Sequence, residues 1–240
     1  MQIMANLFID IGSHIGESIE IALKNKYNFD KIYAFEPSSF CQDYLRKYKD
    51  PRLVINHFGV GAKNRKTILY GAGSVGASVY SEKLPFWKTN EQILIVKFSE
   101  WYKCHVQKSD LVWIKLNAEG IEHEIIDELK YINYQNIISI LVSFDIDKIP
   151  SLRYKKMGLT RSLKDDLKVP YVERKNGYEV NHWLDTHHTL KSSFNLKDFI
   201  IDSLGINIPF NRNLRRIFII FIPRKLWLYL AIRLGPNRKR

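Results

Sequence analysis

The sequence predicts an α/β fold with a doubly wound, mostly parallel sheet. Three short apolar runs, at residues 7–11, 31–37 and 53–58, lie near the N-terminus, with helical patterns between them. Strands that are buried on both faces and separated by helices are typical of parallel sheets. The chain has 240 residues, of which 45% are hydrophobic, so it is long and apolar enough to bury one substantial core.

The first run leads into a glycine turn. Gly12 would let a ligand approach the backbone closely, and Gly16 would let the following helix begin tight against the sheet. The N-terminus of that helix adds unpaired N–H groups. Asp10 stands in an otherwise apolar strand, where a carboxylate is costly to bury without bonding partners. The turn is therefore a candidate nucleotide-binding site, and a purely structural glycine turn is the alternative.

The second run ends in an acid. Glu36 lies 20 residues after Gly16, about where a doubly wound fold places the acid that accepts hydrogen bonds from ribose hydroxyls. The NAD fingerprint Gly-x-Gly-x-x-Gly does not fit, because position 14 is His14. The pattern Asp-x-Gly-x-x-x-Gly, followed by Glu17, instead resembles the first motif of class I S-adenosylmethionine methyltransferases.

A helix and an excursion follow the second run. Ser38 or Ser39 can cap a helix that runs to about Lys49. After the third run the alternating pattern changes, because residues 66–98 contain two β-like runs on either side of a glycine-rich segment, 71–78. We interpret this region as an excursion near the site, with a plain hairpin loop as the alternative.

A further buried strand, at residues 111–116, ends in polar side chains. Asn117, Glu119 and Glu122 follow it directly. At about 100° per residue, Glu122 falls on the apolar stripe of the next helix, where a surface acid is not expected. In open α/β sheets the ligand crevice lies outside the carboxyl ends of the strands. Glu119 and Glu122 are therefore candidate catalytic acids, and helix capping with dipole stabilisation is the alternative.

Three motifs together resemble the FkbM-type methyltransferases. Residues 113–122 read Trp-Ile-Lys-Leu-Asn-Ala-Glu-Gly-Ile-Glu, which is similar to the Lys-x-Asp-x-Glu-Gly-x-Glu signature of that family. The Asp-x-Gly-x-x-x-Gly motif and the Ala-Phe-Glu-Pro motif precede it in the family's order. The resemblance covers about residues 6–147, with Asn117 in place of the family's first Asp. It implies a Rossmann-like, seven-stranded sheet, within a methyltransferase domain that we place at residues 1–190.

The resemblance implies that S-adenosylmethionine is the cofactor and that a hydroxyl of a sugar, glycan or other small molecule is methylated. Glu119 and Glu122 are the first candidates for removing the hydroxyl proton, and His14 and Asp145 are the second candidates for this role. We predict no metal, because Asn117 stands where a charged oxygen ligand would be needed. The expected cofactor-binding residues are Asp10, Gly12, Ser13, His14, Gly16, Glu17, Glu36 and Asn117.

The pattern in the last third of the chain indicates the final strands of the sheet, followed by a basic extension. Residues 137–144 form another strand, and residues 171–180 can form a closing hairpin about Asn176-Gly177. Residues 191–240 are a basic, apolar C-terminal extension. Of the net charge of +12, nine positive charges lie at residues 211–240, which contain no acid. Such a segment suits an anionic membrane surface, and a helix packed on the body or on a second subunit of a homodimer is the alternative.

Location and partners follow from the same features. The N-terminus lacks a signal-peptide pattern and no apolar run reaches the roughly 18 residues of a membrane span. We therefore expect a cytoplasmic protein, peripheral on the inner face of the membrane, with a small-molecule or lipid-linked sugar acceptor. A nucleic-acid methyltransferase is a weaker alternative, because the usual Asn/Asp-Pro-Pro-Tyr/Phe tetrapeptide is replaced by Asn-Ala-Glu-Gly. A catalytically silent membrane adaptor with the same fold is the other alternative.

Overall fold

The structure is a computed structural model that describes residues 4–83, 89–174 and 179–191, with side chains described to residue 186. The chain divides into two units, residues 1–183 and 184–240. Apart from the end of one helix, the described residues belong to the first unit. The turn about Asn176-Gly177 and residues 192–240, which make up nearly all of the predicted extension, lie outside the described residues.

The main sheet contains six strands, all parallel. They are β1 (Asn6–Ile11), β2 (Lys31–Phe35), β3 (Leu53–Asn56), β7 (Leu111–Leu116), β8 (Ile137–Val142) and β9 (Tyr171–Glu173). Their order is β3-β2-β1-β7-β8-β9. The order therefore reverses at β1, as in other doubly wound sheets. The predicted α/β class and parallel sheet are confirmed, whereas the expected seventh strand is absent from the described residues.

The predicted closing hairpin is wrong. Strand β9 has three residues and pairs parallel to β8, and by Val180 the chain has entered helix α6 (Val180–Lys191). The physical reason is the side chain of Trp183, which is fully buried. Its indole packs edge-on against Trp113 and donates Nε1–H to Ser139 Oγ at 3.0 Å. A helix at this position buries a large aromatic ring.

The excursion forms a second, smaller sheet. Strands β4 (Gly59–Gly61), β5 (Arg65–Tyr70) and β6 (Asn90–Lys97) lie in the order β4-β6-β5, with β5 and β6 antiparallel. The glycine-rich segment links β5 to β6 and folds back, because Tyr70 pairs with Ser78. The two predicted β runs are thus present, and the region is more than a plain hairpin loop. Residues 84–88 lie outside the described residues.

Short helices connect the strands. They are α1 (Glu17–Ala22), α2 (Ser39–Leu45), α3 (Phe98–His105), α4 (Glu122–Glu128) and α5 (Lys156–Arg161). Helix α2 begins where predicted and ends four residues early, and it exposes Phe40 and Tyr44 while burying Cys41. In the part of the chain that the structure describes, no helix is long and apolar enough to cross a bilayer.

Candidate ligand site

A cavity of about 290 Å³ opens at the carboxyl ends of β1, β2 and β7. This position is where the strand order reverses, which is the usual ligand crevice of an open α/β sheet. The second sheet supplies an apolar wall that includes Val60, Leu69, Ile93 and Ile95. Of the predicted site residues, those that line the cavity are Gly12, His14, Glu17, Glu36, Asn117 and Glu119.

The two glycines of the turn are required by close contacts within the protein. Gly12 has φ +80°, and a Cβ there would lie 1.9 Å from the backbone oxygen of Asn117. Gly16 has φ +103°, and its space is filled by the ring of Tyr48, whose hydroxyl donates to the Gly16 carbonyl at 3.1 Å. Both positions therefore need glycine whether or not a ligand is bound.

The backbone N–H groups of the turn are largely used within the protein. Those of Gly12 and Ser13 donate to the Phe35 carbonyl at 3.0 and 3.1 Å, and that of Gly16 donates to the Ser13 carbonyl at 2.8 Å. Ser13 is buried and also directs its hydroxyl to Phe35 O, 3.2 Å away. Ser13 and Gly16 do not line the cavity. The backbone N–H groups that the sequence predicted as a ligand cradle are therefore mostly used within the protein, which leaves the side chains at the cavity wall as the candidate ligand contacts.

Asp10 is buried beneath the cavity, within a polar network. Its Oδ2 accepts the hydroxyl of Ser18 at 2.5 Å, and its Oδ1 lies 3.0 Å from Lys115 Nζ. The parallel register of β1 and β7 places Asp10 directly opposite Lys115. Lys115, unlike Asp10, lines the cavity, and it is absent from the predicted site. The signal that could have revealed it is a lysine within an apolar run, which needs a partner when buried.

Glu36 lines the cavity, and each of its carboxylate oxygens already accepts one hydrogen bond. Oε2 accepts the N–H of His14 and Oε1 accepts the N–H of Ser38, each at 2.9 Å. Burial raises the pKa of Glu36, and these two hydrogen bonds oppose that rise. A carboxylate has about four acceptor positions, so Glu36 retains capacity for about two more donors.

Asn117 contributes an unsatisfied oxygen. Its Oδ1 is buried and has no hydrogen-bond partner among the described residues. Its side chain does not cap helix α4, which begins after Ile121 without a side-chain cap, so the alternative interpretation of Asn117 as a helix cap is wrong. Buried polar atoms are almost always paired, and an orphan at a cavity wall is therefore a candidate ligand contact.

The two predicted catalytic acids have different surroundings. Glu119 lines the cavity and forms an ion pair with Lys83, while its carbonyl accepts the Ser78 hydroxyl at 2.6 Å. Burial and the nearby charge of Asp145 raise its pKa, against the opposing charge of Lys83. The glycine-rich segment is therefore anchored directly on the strand end that carries Glu119.

Glu122 is fully buried, as its position on the apolar stripe predicts. Its carboxylate accepts the N–H groups of Ala118 and Gly120, each at 3.0 Å. Burial raises the pKa of Glu122 to about 8. It lies behind the cavity wall, so its direct effect is to shape the loop at residues 118–120.

The remaining candidates lie at the edge of the site. His14 Nδ1 is 3.5 Å from Glu17 Oε1 at the cavity wall. Asp145 accepts the Ser143 hydroxyl at 3.3 Å, forms an ion pair with Lys148 and does not line the cavity. Within residues 4–83, 89–174 and 179–186, no three His, Cys, Asp or Glu side chains are grouped to hold a metal ion.

These features define an α/β protein with a cavity at the switch point of a doubly wound sheet. Compared with protein-family models, curated proteins and solved structures, the chain matches none.

Proposed function

We propose that this protein is an S-adenosylmethionine-dependent methyltransferase that methylates a hydroxyl oxygen of a sugar, glycan or related small molecule. One observation carries the proposal: three motifs that are far apart in the sequence meet at one cavity. They are the glycine turn after β1, Glu36 after β2, and the segment from Asn117 to Glu119 after β7. Each follows a different parallel strand, and together they resemble the motif set of the FkbM-type methyltransferases.

The cavity has the chemistry that a nucleoside cofactor needs. Glu36 offers acceptor positions for a pair of ribose hydroxyls, Asn117 offers an unpaired oxygen, and Val60 and Ile93 offer an apolar wall for a base. Its volume of about 290 Å³ is near the lower limit of small-molecule pockets, roughly 300 Å³. When bound, S-adenosylmethionine supplies a methyl group on a positively charged sulfur.

Two acids would serve the acceptor side in different ways. Methyl transfer to a hydroxyl requires alignment of the acceptor oxygen and removal of its proton. Glu119 faces the cavity, and the rise in its pKa makes the carboxylate a better proton acceptor. Glu122 holds the loop from which Glu119 projects, so we assign Glu119 as proton acceptor and Glu122 as a positioning residue.

Calorimetry with S-adenosylhomocysteine tests the cofactor. Glu36→Ala removes the acceptor for two hydroxyl groups, each worth roughly 1.5–3 kcal/mol before water compensates. We expect affinity to fall by about tenfold or more. Glu20→Ala, which changes an exposed acid on helix α1, is the control and should bind like the wild type. Absence of binding by the wild type would show that the proposal is wrong.

Transfer of a labelled methyl group to a panel of activated sugars tests the chemistry. Glu119→Gln should lower turnover by roughly 10²–10⁴ while leaving S-adenosylhomocysteine affinity nearly unchanged. Glu20→Gln is the matched control. If Glu119→Gln lowers folding stability without a specific loss of turnover, Glu119 has a structural role instead.

A further inference from the structure

We propose that Lys115 binds the carboxylate of the cofactor's amino-acid end, and thereby selects a nucleoside that carries an amino-acid tail. The inference rests on the proposed function and adds a residue to its site. It comes from the hydrogen-bonding capacity of a single buried ammonium group at the wall of the cavity.

Lys115 has a donor to spare. Its Nζ donates to the carbonyl of Gly12 at 2.5 Å and lies 3.0 Å from Asp10 Oδ1. An ammonium group carries three N–H donors, so at least one remains when these two contacts are counted. The side chain is only 6% exposed, yet it borders the cavity. An acceptor for the remaining N–H would therefore be a group bound in the cavity.

A carboxylate is the group that this position needs. In many nucleotide sites the turn after β1 provides backbone N–H groups to an anion, but here Gly12, Ser13 and Gly16 donate within the protein. An anion in an enclosed cavity must still be hydrogen-bonded. Among the described residues, the other full cation at the cavity wall is Arg174, which already pairs with Glu179 at 3.1 Å. Lys115 is thus the best-placed donor.

Glu36 and Lys115, which both line the cavity, also suit the two ends of such a ligand. Glu36 follows β2 and accepts hydrogen bonds, whereas Lys115 lies on β7 and donates them. Strand β1 separates the two, and adjacent strands are about 4.8 Å apart. The acceptor and donor ends are therefore on the order of 10 Å apart, a span that an amino-acid tail attached to a ribose can bridge.

Binding of two ligands measures the assignment. S-Adenosylhomocysteine carries the amino-acid end, and 5′-methylthioadenosine is a similar nucleoside without it. For Lys115→Met we expect affinity for S-adenosylhomocysteine to fall by roughly 10–100-fold, as for a lost charged hydrogen bond, and affinity for methylthioadenosine to change by less than about twofold. An equal loss for both ligands would overturn the inference, because Lys115 would then act only by holding Gly12.

A second variant protects the test against misfolding. Lys115→Met leaves Asp10 buried without its counter-charge, which is strongly destabilising. The double variant Asp10→Asn, Lys115→Met removes both charges and keeps an acceptor for the Ser18 hydroxyl. It should show the same selective loss. Lys156→Met, which removes a lysine paired with Asp147 and Glu173 away from the cavity, is the matched control and should bind both ligands normally.

The remaining outcomes also decide the question. A selective loss in Arg174→Met, with none in Lys115→Met, would assign the carboxylate to Arg174 and overturn the inference. Tighter binding of AMP than of S-adenosylhomocysteine, dependent on Lys115, would show a phosphate site and also overturn it. If the wild type binds methylthioadenosine as tightly as S-adenosylhomocysteine, the nucleoside site stands and the inference fails. If it binds neither, the proposed function fails with it.

Discussion

Gly12 is the residue with the least freedom at this site. It combines a positive φ with contact to the backbone of Asn117, a neighbour that cannot move aside as a flexible side chain would. Its carbonyl also accepts a hydrogen bond from the Lys115 ammonium group. Through these two contacts, Gly12 connects the turn after β1 to the end of β7.

Gly12→Ala should therefore destabilise the protein strongly. We expect the free energy of unfolding to fall by about 2–4 kcal/mol, from left-handed strain of roughly 1–2 kcal/mol and a backbone clash. Denaturant unfolding measures the change. Gly158→Ala is the control: Gly158 is in helix α5, where an added methyl group would have no heavy atom within 4 Å, so it should raise stability by about 0.5–1 kcal/mol. Equal effects at the two glycines would contradict the argument.

Glu122 should make stability depend on pH. Its pKa is about 8 in the folded protein against an ordinary value of 4.5, so between these values the folded state keeps a proton that the unfolded state has lost. Stability contributed by Glu122 therefore falls as pH rises through this range, by up to about 1.4 kcal/mol per pH unit.

Glu122→Gln removes this titration and leaves the other groups in place. Unfolding free energies of both proteins at pH 5, 6.5 and 8 isolate the effect. The stability of the wild type relative to the variant should decline steadily across the series. A difference that stays constant with pH would show that Glu122 is ionised throughout.

At the scale of elements, the second sheet is attached to the main fold by polar contacts as well as by its apolar face. Arg65 of β5 donates to both carboxylate oxygens of Glu124 on α4, at 2.8 and 2.7 Å. Glu124 also accepts the N–H of Ala62 at 2.8 Å. On the other side of the cavity, Glu91 of β6 accepts the N–H of Ser39 at the start of α2. The second sheet thus contacts helices on both sides of the cavity.

Breaking the Arg65 pair should loosen this attachment. Arg65→Met leaves a partly buried carboxylate without its main partner, and we expect a loss of about 2–4 kcal/mol in unfolding free energy. Adding Glu124→Met should restore much of it, because the unpaired charge is removed. Arg46→Met, which breaks the exposed pair with Asp43, should cost less than about 1 kcal/mol. Similar losses for Arg65→Met and Arg46→Met would contradict the argument.

At the scale of the whole molecule, the charge of the chain is unevenly distributed. Nine cations and no acid lie at residues 211–240, interleaved with apolar and aromatic residues. A lipid-linked acceptor would be found at a membrane surface, so we propose that this segment holds the enzyme there. Each cation near an anionic surface contributes up to about 1 kcal/mol.

Cosedimentation of the full chain with vesicles tests this proposal. Binding to anionic vesicles should be strong at low salt and weaker at 1 M salt, where the Debye length is about 3 Å. Replacing five tail cations by Gln should lower it further; these are Arg215, Arg216, Arg224, Lys225 and Arg233. The same five-residue change should leave the melting temperature unaltered. A full chain that stays in the supernatant with anionic vesicles at low salt would rule out the membrane role.

Local sequence signals were sufficient for the strands and the turn around the cavity. Apolar runs followed by a glycine, an acid or an asparagine predicted β1, β2 and β7, because burial on both faces of a parallel sheet leaves a continuous apolar pattern. The position of Glu36 and the burial of Glu122 followed from spacing alone. A resemblance to a family also implied seven strands, whereas the described residues form a main sheet of six, and after β9 the chain enters helix α6, where Trp183 is buried.

Contacts between distant parts of the chain were decided only by the tertiary structure. Lys115 meets Gly12 across 103 positions and Lys83 meets Glu119 across 36. Both pairs depend on strand order and on how the second sheet folds back, which local patterns do not encode. The sequence placed Glu119 and Glu122 at one strand end, but the path of the loop at residues 118–120 determines that Glu119 faces the cavity while Glu122 binds the loop from behind. Two acids three residues apart thus have different surroundings, because Glu119 lies at the cavity wall while Glu122 lies beneath the loop and accepts its backbone N–H groups.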